Sequence, residues 1–149
     1  MILMYRIPGI FACLALLFYL ALLLALFKVI PVTLTLAGIA GVILSVGMAV
    51  DANVLIFSRM REELREGKSY LVAMEEGFIR AWPSIRDGNL TTLFVSLILF
   101  WFGSSFVQGF ALTLSLGIIL SMFSGIVVTR NFMRMFAGTF FEKLTWLWK

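Results

Sequence analysis

Val29-Ile30-Pro31-Val32-Thr33-Leu34-Thr35-Leu36-Ala37-Gly38-Ile39-Ala40-Gly41-Val42-Ile43-Leu44-Ser45-Val46-Gly47-Met48-Ala49-Val50-Asp51 decides the fold. The run carries no charge until its last residue and is long enough to cross a ~30 Å hydrocarbon core. Asp51 is then followed by the uncharged Ala52-Asn53-Val54-Leu55-Ile56-Phe57, so a carboxylate stands inside a membrane helix. Such a placement costs about 2.5–3.5 kcal/mol on insertion scales, and groups kept at that cost mark proton or ion pathways. Composition agrees on the solvent. The chain has 149 residues, 62% hydrophobic and 13% charged, with a mean hydropathy of +1.05. Soluble domains carry about a quarter charged residues, which this chain lacks.

The spans follow from the charge-free intervals. The first is expected over about 8–27 and the second over about 33–57, joined by the short turn Lys28-Val29-Ile30-Pro31 with Pro31 near the second helix start. Residues 88–129 carry no charge, too many for one crossing, and Gly103-Ser104-Ser105-Phe106-Val107-Gln108-Gly109 breaks them into spans over about 88–102 and 108–129. The expected fold is an all-α membrane protein, a four-helix transmembrane bundle. A cleaved signal peptide fits poorly, since the first apolar run is too long and lacks an Ala-x-Ala pattern.

Of the 12 Lys and Arg residues, only Lys28 falls between the first and second spans, and none falls between the third and fourth. The positive-inside rule therefore puts both termini and the loop between the second and third spans in the cytoplasm. In that loop Leu71, Met74, Phe78 and Trp82 recur at helical spacing until Pro83, which predicts a cytoplasmic amphipathic helix over about 59–82. It serves either as a connection along the membrane face or as a docking element. Arg59 to Glu66 alternates in charge, as a solvated extension of the second helix does. Residues 131–149 place Phe132, Phe136 and Phe140 four apart and then Trp146 and Trp148, the pattern of an interfacial aromatic and basic tail.

Function classes narrow in the same way. No Gly-rich phosphate loop, zinc pattern or histidine is present, so the basic pI of 9.6 does not argue for nucleic acid, and no metal is expected. Cys13 is the single cysteine and reads as a packing residue. An intramembrane aspartyl protease needs a second buried Asp, and Asp87 lies at the cytoplasmic edge. Ala37, Gly41, Ser45, Ala49 and Asn53 stack along one stripe of the second helix, as Gly117, Ser121 and Gly125 do on the fourth. These are expected to be helix-packing faces, with Asp51 near the flank of the first stripe. A carboxylate removed from water is more readily protonated, which suits Asp51 to proton relay. The spans contain no Lys or Arg, so its partners are polar groups such as Asn53, Asn89, Thr91, Thr92 and the fourth-helix hydroxyls, or a cation on another polypeptide.

Gly47-Met48-Ala49-Val50-Asp51-Ala52-Asn53-Val54-Leu55-Ile56-Phe57, then Arg59 and Arg61-Glu62-Glu63-Leu64-Arg65-Glu66-Gly67, closely resembles the signature of the SecD family. Tyr5-Arg6-Ile7-Pro8-Gly9, Asp87-Gly88-Asn89-Leu90-Thr91-Thr92-Leu93, Gly109-Phe110-Ala111-Leu112-Thr113-Leu114, Ser121-Met122-Phe123 and Thr129-Arg130 extend the likeness from Tyr5 to Arg130. The resemblance implies the last four helices of a six-helix half of a resistance-nodulation-division (RND) protein. It also implies a bacterial inner-membrane subunit that uses proton flow to promote late steps of protein export. The implied partners are SecF, the SecYEG channel with SecA, YajC and unfolded exported proteins, with membrane lipid around the helices. Protons are the coupling ion, and no other cofactor is implied. The family's proton-moving Asp corresponds to Asp51, while Asn53, Asn89 and Thr92 are expected to orient it or line its water path. Ser58 and Met60 depart from a usual Glu and Ile, and Ser105, Phe106 and Gln108 from a usual Gly, Pro and Lys. The family's first helix, periplasmic domain and most of its second helix are not in this chain, which is expected to be a fragment or one piece of a split system. Another RND exporter and a non-transporting membrane scaffold are the alternatives.

Overall fold

The computed structural model describes residues 2–30, 32, 34–131 and 134. They form four long helices, α1 (Ile2–Val29), α2 (Leu36–Arg65), α3 (Tyr70–Phe102) and α4 (Ser105–Phe123), and a π-helical segment, Ser124–Thr129. Among the described residues there is no strand. All four helices are long and apolar enough to cross a membrane. The chain is an all-helical, multi-pass membrane protein. The expected tail 131–149 falls almost wholly outside the described residues, as does Pro31.

The helix ends follow local chemistry. Thr35 caps α2, its hydroxyl accepting the Gly38 N–H at 3.1 Å. At the other end, Gly67 has φ +88, a left-handed conformation that costs a residue without Cβ least. There the Gly67 N–H donates to the Leu64 carbonyl at 3.2 Å and the Lys68 N–H to Glu63 at 3.3 Å, the paired bonds of a Schellman turn. That turn reverses the chain within four residues, so α3 runs back antiparallel along α2.

The loop between the second and third spans therefore differs from expectation. The cytoplasmic amphipathic helix placed over about 59–82 is not a separate element. Its first part is the end of α2 and its second part the beginning of α3. Pro83 does not stop α3, which continues from Tyr70 to Phe102. Proline takes away the amide that would bond to the Ile79 carbonyl and crowds that carbonyl, a disturbance that membrane helices absorb when packing holds both sides. Here Ala73, Met74, Gly77 and Ala81 are buried before the proline, and Asn89 and Ser96 after it. Of the expected stripe only Met74 is fully buried; Leu71 is exposed, and the packed face runs instead through Tyr70, Ala73, Met74, Gly77 and Ala81.

The α3–α4 turn is also tighter than the sequence suggests, because α4 begins at Ser105 rather than near 108. The last predicted turns of the fourth span, through Thr129, are π-helical from Ser124. Two buried clusters hold the unit. Ile56, Phe57 and Met60 of α2 pack on Tyr70, Ala73, Met74 and Ala81 of α3 together with Ala12 of α1. Tyr19, Leu23 and Phe27 of α1 pack with Ala49 of α2, flanked by Leu116 and Leu120 of α4.

Candidate functional site

On α2 the stripe Gly41, Ser45, Ala49, Asn53, Ile56, Met60, Glu63 is buried, each member three or four residues from the last. Asp51 is not on this face. It is exposed at the side of the four-helix unit. Two residues along an α-helix turn the side chain by about 200°. A position two from both Ala49 and Asn53 therefore points away from their stripe, and the expected place on its flank is corrected.

Asp51 opens into a groove of about 310 Å³ between α2 and α3, lined by Met48, Ala52, Leu55, Ser84, Ile85, Gly88, Asn89 and Thr92. The α2–α3 reversal brings Asn89 and Thr92 beside Asp51. Asn89 is buried, and the Thr92 hydroxyl donates back to the Gly88 carbonyl at 3.0 Å, which fixes it to its own helix. Thr91 is exposed and donates to Asp87 O at 2.8 Å. Asn53, the third polar residue expected on the proton path, is 5% exposed on the inner face and does not line the groove. Among the described residues Asp51 forms no ion pair and no side-chain hydrogen bond. Arg86 and Asp87, which lie in sequence between the groove residues Ile85 and Gly88, pair with each other at 2.9 Å. No group of His, Cys, Asp and Glu able to hold a metal occurs among the described residues.

The residues expected in helix packing divide. A Cβ added at Gly41 would strike Thr113 and the Phe110 carbonyl of α4, and one at Gly117 would strike Ser45 of α2. Small residues here let two backbones approach closely, the usual means of association where lipid removes the hydrophobic drive. Ala49 and Ser121 are buried, and Ser121 donates to Ile118 O at 2.9 Å. Gly125 differs. A Cβ there would meet nothing within 4 Å, because the chain has become π-helical at Ser124 and no longer follows the fourth-helix stripe.

Several polar groups emerge that spacing did not single out. The Tyr19 hydroxyl lies 2.8 Å from Ser45 Oγ and 3.3 Å from the Gly117 carbonyl, tying three helices at one buried point. Ser96 and Ser115 meet at 2.7 Å between α3 and α4, and Thr113 donates to Gly38 O at 2.9 Å between α4 and α2. At the α2–α3 turn Glu63 is fully buried and paired with Lys68 and Arg80, while Lys68 also reaches Glu76. The two carboxylates hold the Lys68 ammonium well above the ordinary lysine range, led by its hydrogen bond to Glu63. Glu75 of α3 receives Arg130 at 2.9 Å, and Arg134 as well. Glu63 had a signal in the sequence, since it continues the apolar stripe three residues beyond Met60. Charge alternation pointed instead to a solvated face.

Comparison with known proteins fits this architecture. Residues 2–139 match the family described as protein export membrane protein SecD/SecF, C-terminal. The chain is 55% identical, over 99% of its length, to the protein translocase subunit SecD of Thermobaculum terrenum, and 56% identical, over 93%, to that of Dehalococcoides mccartyi. It spans 30% and 32% of those two relatives. The crystal structure of a Thermus SecDF, a translocon-associated membrane protein, superposes with a TM-score of 0.84 at 42% identity, over 87% of this chain and 18% of that one.

Proposed function

The chain belongs to the SecD/SecF C-terminal family of protein export membrane proteins, and from that premise we propose that it forms the proton-carrying face of an export motor. The observation that carries the proposal is the outward-opening Asp51, whose groove is lined by polar and apolar groups and, among the described residues, by no cation. A carboxylate without a partner cannot stay ionised in hydrocarbon at small cost, and protonation removes the charge. Loading a proton makes Asp51 neutral and lets its groove close against an apolar surface. Releasing the proton leaves a carboxylate that attracts a cation. In this reading the cation belongs to a SecF-type half packed over the groove, in keeping with coupling-ion sites at repeat interfaces.

Asn89 and Thr92 contribute amide and hydroxyl groups on the groove wall. They orient the carboxyl and offer water a hydrogen-bonded path to it. Asn53 sits on the opposite face of α2 and serves helix packing instead. Both termini and the α2–α3 turn face the cytoplasm of a bacterial inner membrane, as the basic residues require. Alternation between the two states of Asp51 moves α2 and α3 against the partner half and drives late steps of export through SecYEG after SecA has acted. The exported chain is gripped by an extracytoplasmic region outside these residues.

The test is Asp51→Asn in the complete translocase, with export into inverted vesicles measured with and without a proton gradient. The expected result is full assembly with partner subunits and loss of the gradient-dependent part of export. Unchanged gradient-driven export would establish a scaffold role and overturn the proton reading.

A further inference from the structure

Glu63 stands about three turns below Asp51 on α2, some 18 Å along the helix, and has no exposed surface. It belongs to no part of the groove. Its carboxylate is held from two directions, by Lys68 in the turn after α2 and by Arg80 on α3. One turn before it, the backbone of Met60 lies so close to α3 that a Cβ on Gly77 would stand 2.8 Å from the Met60 nitrogen. Ion pairs and backbone contact therefore fix the sliding position of α3 on α2 at this end.

Higher up, between the same two helices, nothing comparable exists at the glycine of the groove wall. A Cβ on Gly88 would meet nothing within 4 Å. The groove around Asp51 is open, and the position of its α3 wall is set from below. A buried ion pair adds little stability over a well-packed apolar cluster, and its best-attested use is to specify one register among several. Leu and Met at these three positions would fill the space without choosing a register.

We propose that Glu63, clamped by Lys68 and Arg80 beside the Met60–Gly77 contact, is a positioning residue that sets the register of α3 on α2 and so holds Asn89 and Thr92 next to Asp51. The proposal rests on the proton reading only for its consequence, since the register itself is a property of the two helices. The raised Lys68 keeps the clamp charged through neutral pH, so it acts as a fixed setting while Asp51 cycles.

Cysteine cross-linking in membrane vesicles tests it, in a Cys13→Ala background and with the complete subunit. Ala52 and Ile85 line the groove together and also share the small cavity behind it. Thr92 lies seven residues further along α3, about 10 Å away. The readout is the rate of oxidative disulfide formation for Ala52→Cys with Ile85→Cys, divided by that for Ala52→Cys with Thr92→Cys. Glu63→Gln is expected to lower this ratio about fivefold or more, the size expected for loss of a coupled buried pair, and Glu63→Asp is expected to restore most of it. Should Glu63→Gln fail to accumulate, Glu63→Leu with Lys68→Met and Arg80→Leu leaves no unpaired charge and carries the same expectation. An unchanged ratio in either variant overturns the proposal, whatever the yield. Failure of both to accumulate while Glu63→Asp does so overturns it too, because the clamp would then only stabilise. Asp51→Asn should leave the ratio unchanged, so a failed register experiment and a failed proton experiment remain separate results.

Discussion

Two acids on one helix, Asp51 and Glu63, receive opposite treatment. Asp51 lies among apolar residues in the middle of α2, faces outward and has no ionic partner among the described residues. Glu63 lies two residues from the end of α2, at the polar turn into α3, yet it is buried and held by two cations. A fold concerned only with stability would reverse this, pairing the charge in hydrocarbon and leaving the one at the polar turn alone. Under the proposed function, the inversion separates a group that would change its charge from a group that would keep it. Fixed cations from the same chain would lock Asp51 in its ionised form, whereas the Glu63 cluster gains from being locked.

Exchanging the two roles is the strongest way to break the contrast. Asp51→Asn should remove essentially all gradient-driven export while leaving membrane assembly intact, as read by co-purification of partner subunits. Glu63→Gln should do the reverse in kind, lowering the yield of folded protein and shifting the cross-linking ratio, because it leaves Lys68 and Arg80 without a buried counter-charge. A smaller effect sharpens the groove itself. Asn89→Leu should cut gradient-driven export by about tenfold through loss of one positioned polar group, a change of about 1.4 kcal/mol in the limiting step. Asn53→Leu should instead show its effect in thermal unfolding, because its side chain is buried between the helices.

Away from both acids the effects shrink. Tyr19→Phe removes the bridge from α1 to Ser45 and Gly117, and one interhelical hydrogen bond in a membrane contributes about 0.6 kcal/mol. Unfolding in mixed micelles should register that loss with no change in gradient dependence. Gly125→Ala should stay within about 0.5 kcal/mol, since open space surrounds it. The same change at Gly117 should be clearly disruptive, because its Cβ would run into Ser45. Equal costs at the two glycines would show that the fourth-helix stripe packs as one surface after all.

Hydropathy and charge spacing were enough to reveal four membrane helices, the antiparallel order of the spans and Asp51 as the group to explain. These are one-dimensional properties: a membrane demands about 20 apolar residues per crossing, and an interrupting charge is visible wherever it stands. The motif around Asp51 also carried the family, since the residues that match it are continuous in sequence. Which way Asp51 points was within reach of helical geometry, because two residues on a helix face apart. What only the tertiary structure decided depends on pairs far apart in the chain. Pro83 stays within α3 because residues on both sides of it are buried. Asn89 joins Asp51 because the turn at Gly67 sets how α3 returns along α2. Glu63 is buried because Lys68 and Arg80 arrive from the turn and from the neighbouring helix. A charged residue on an apolar stripe is legible in sequence, but the cations that make its burial tolerable are brought there only by folding.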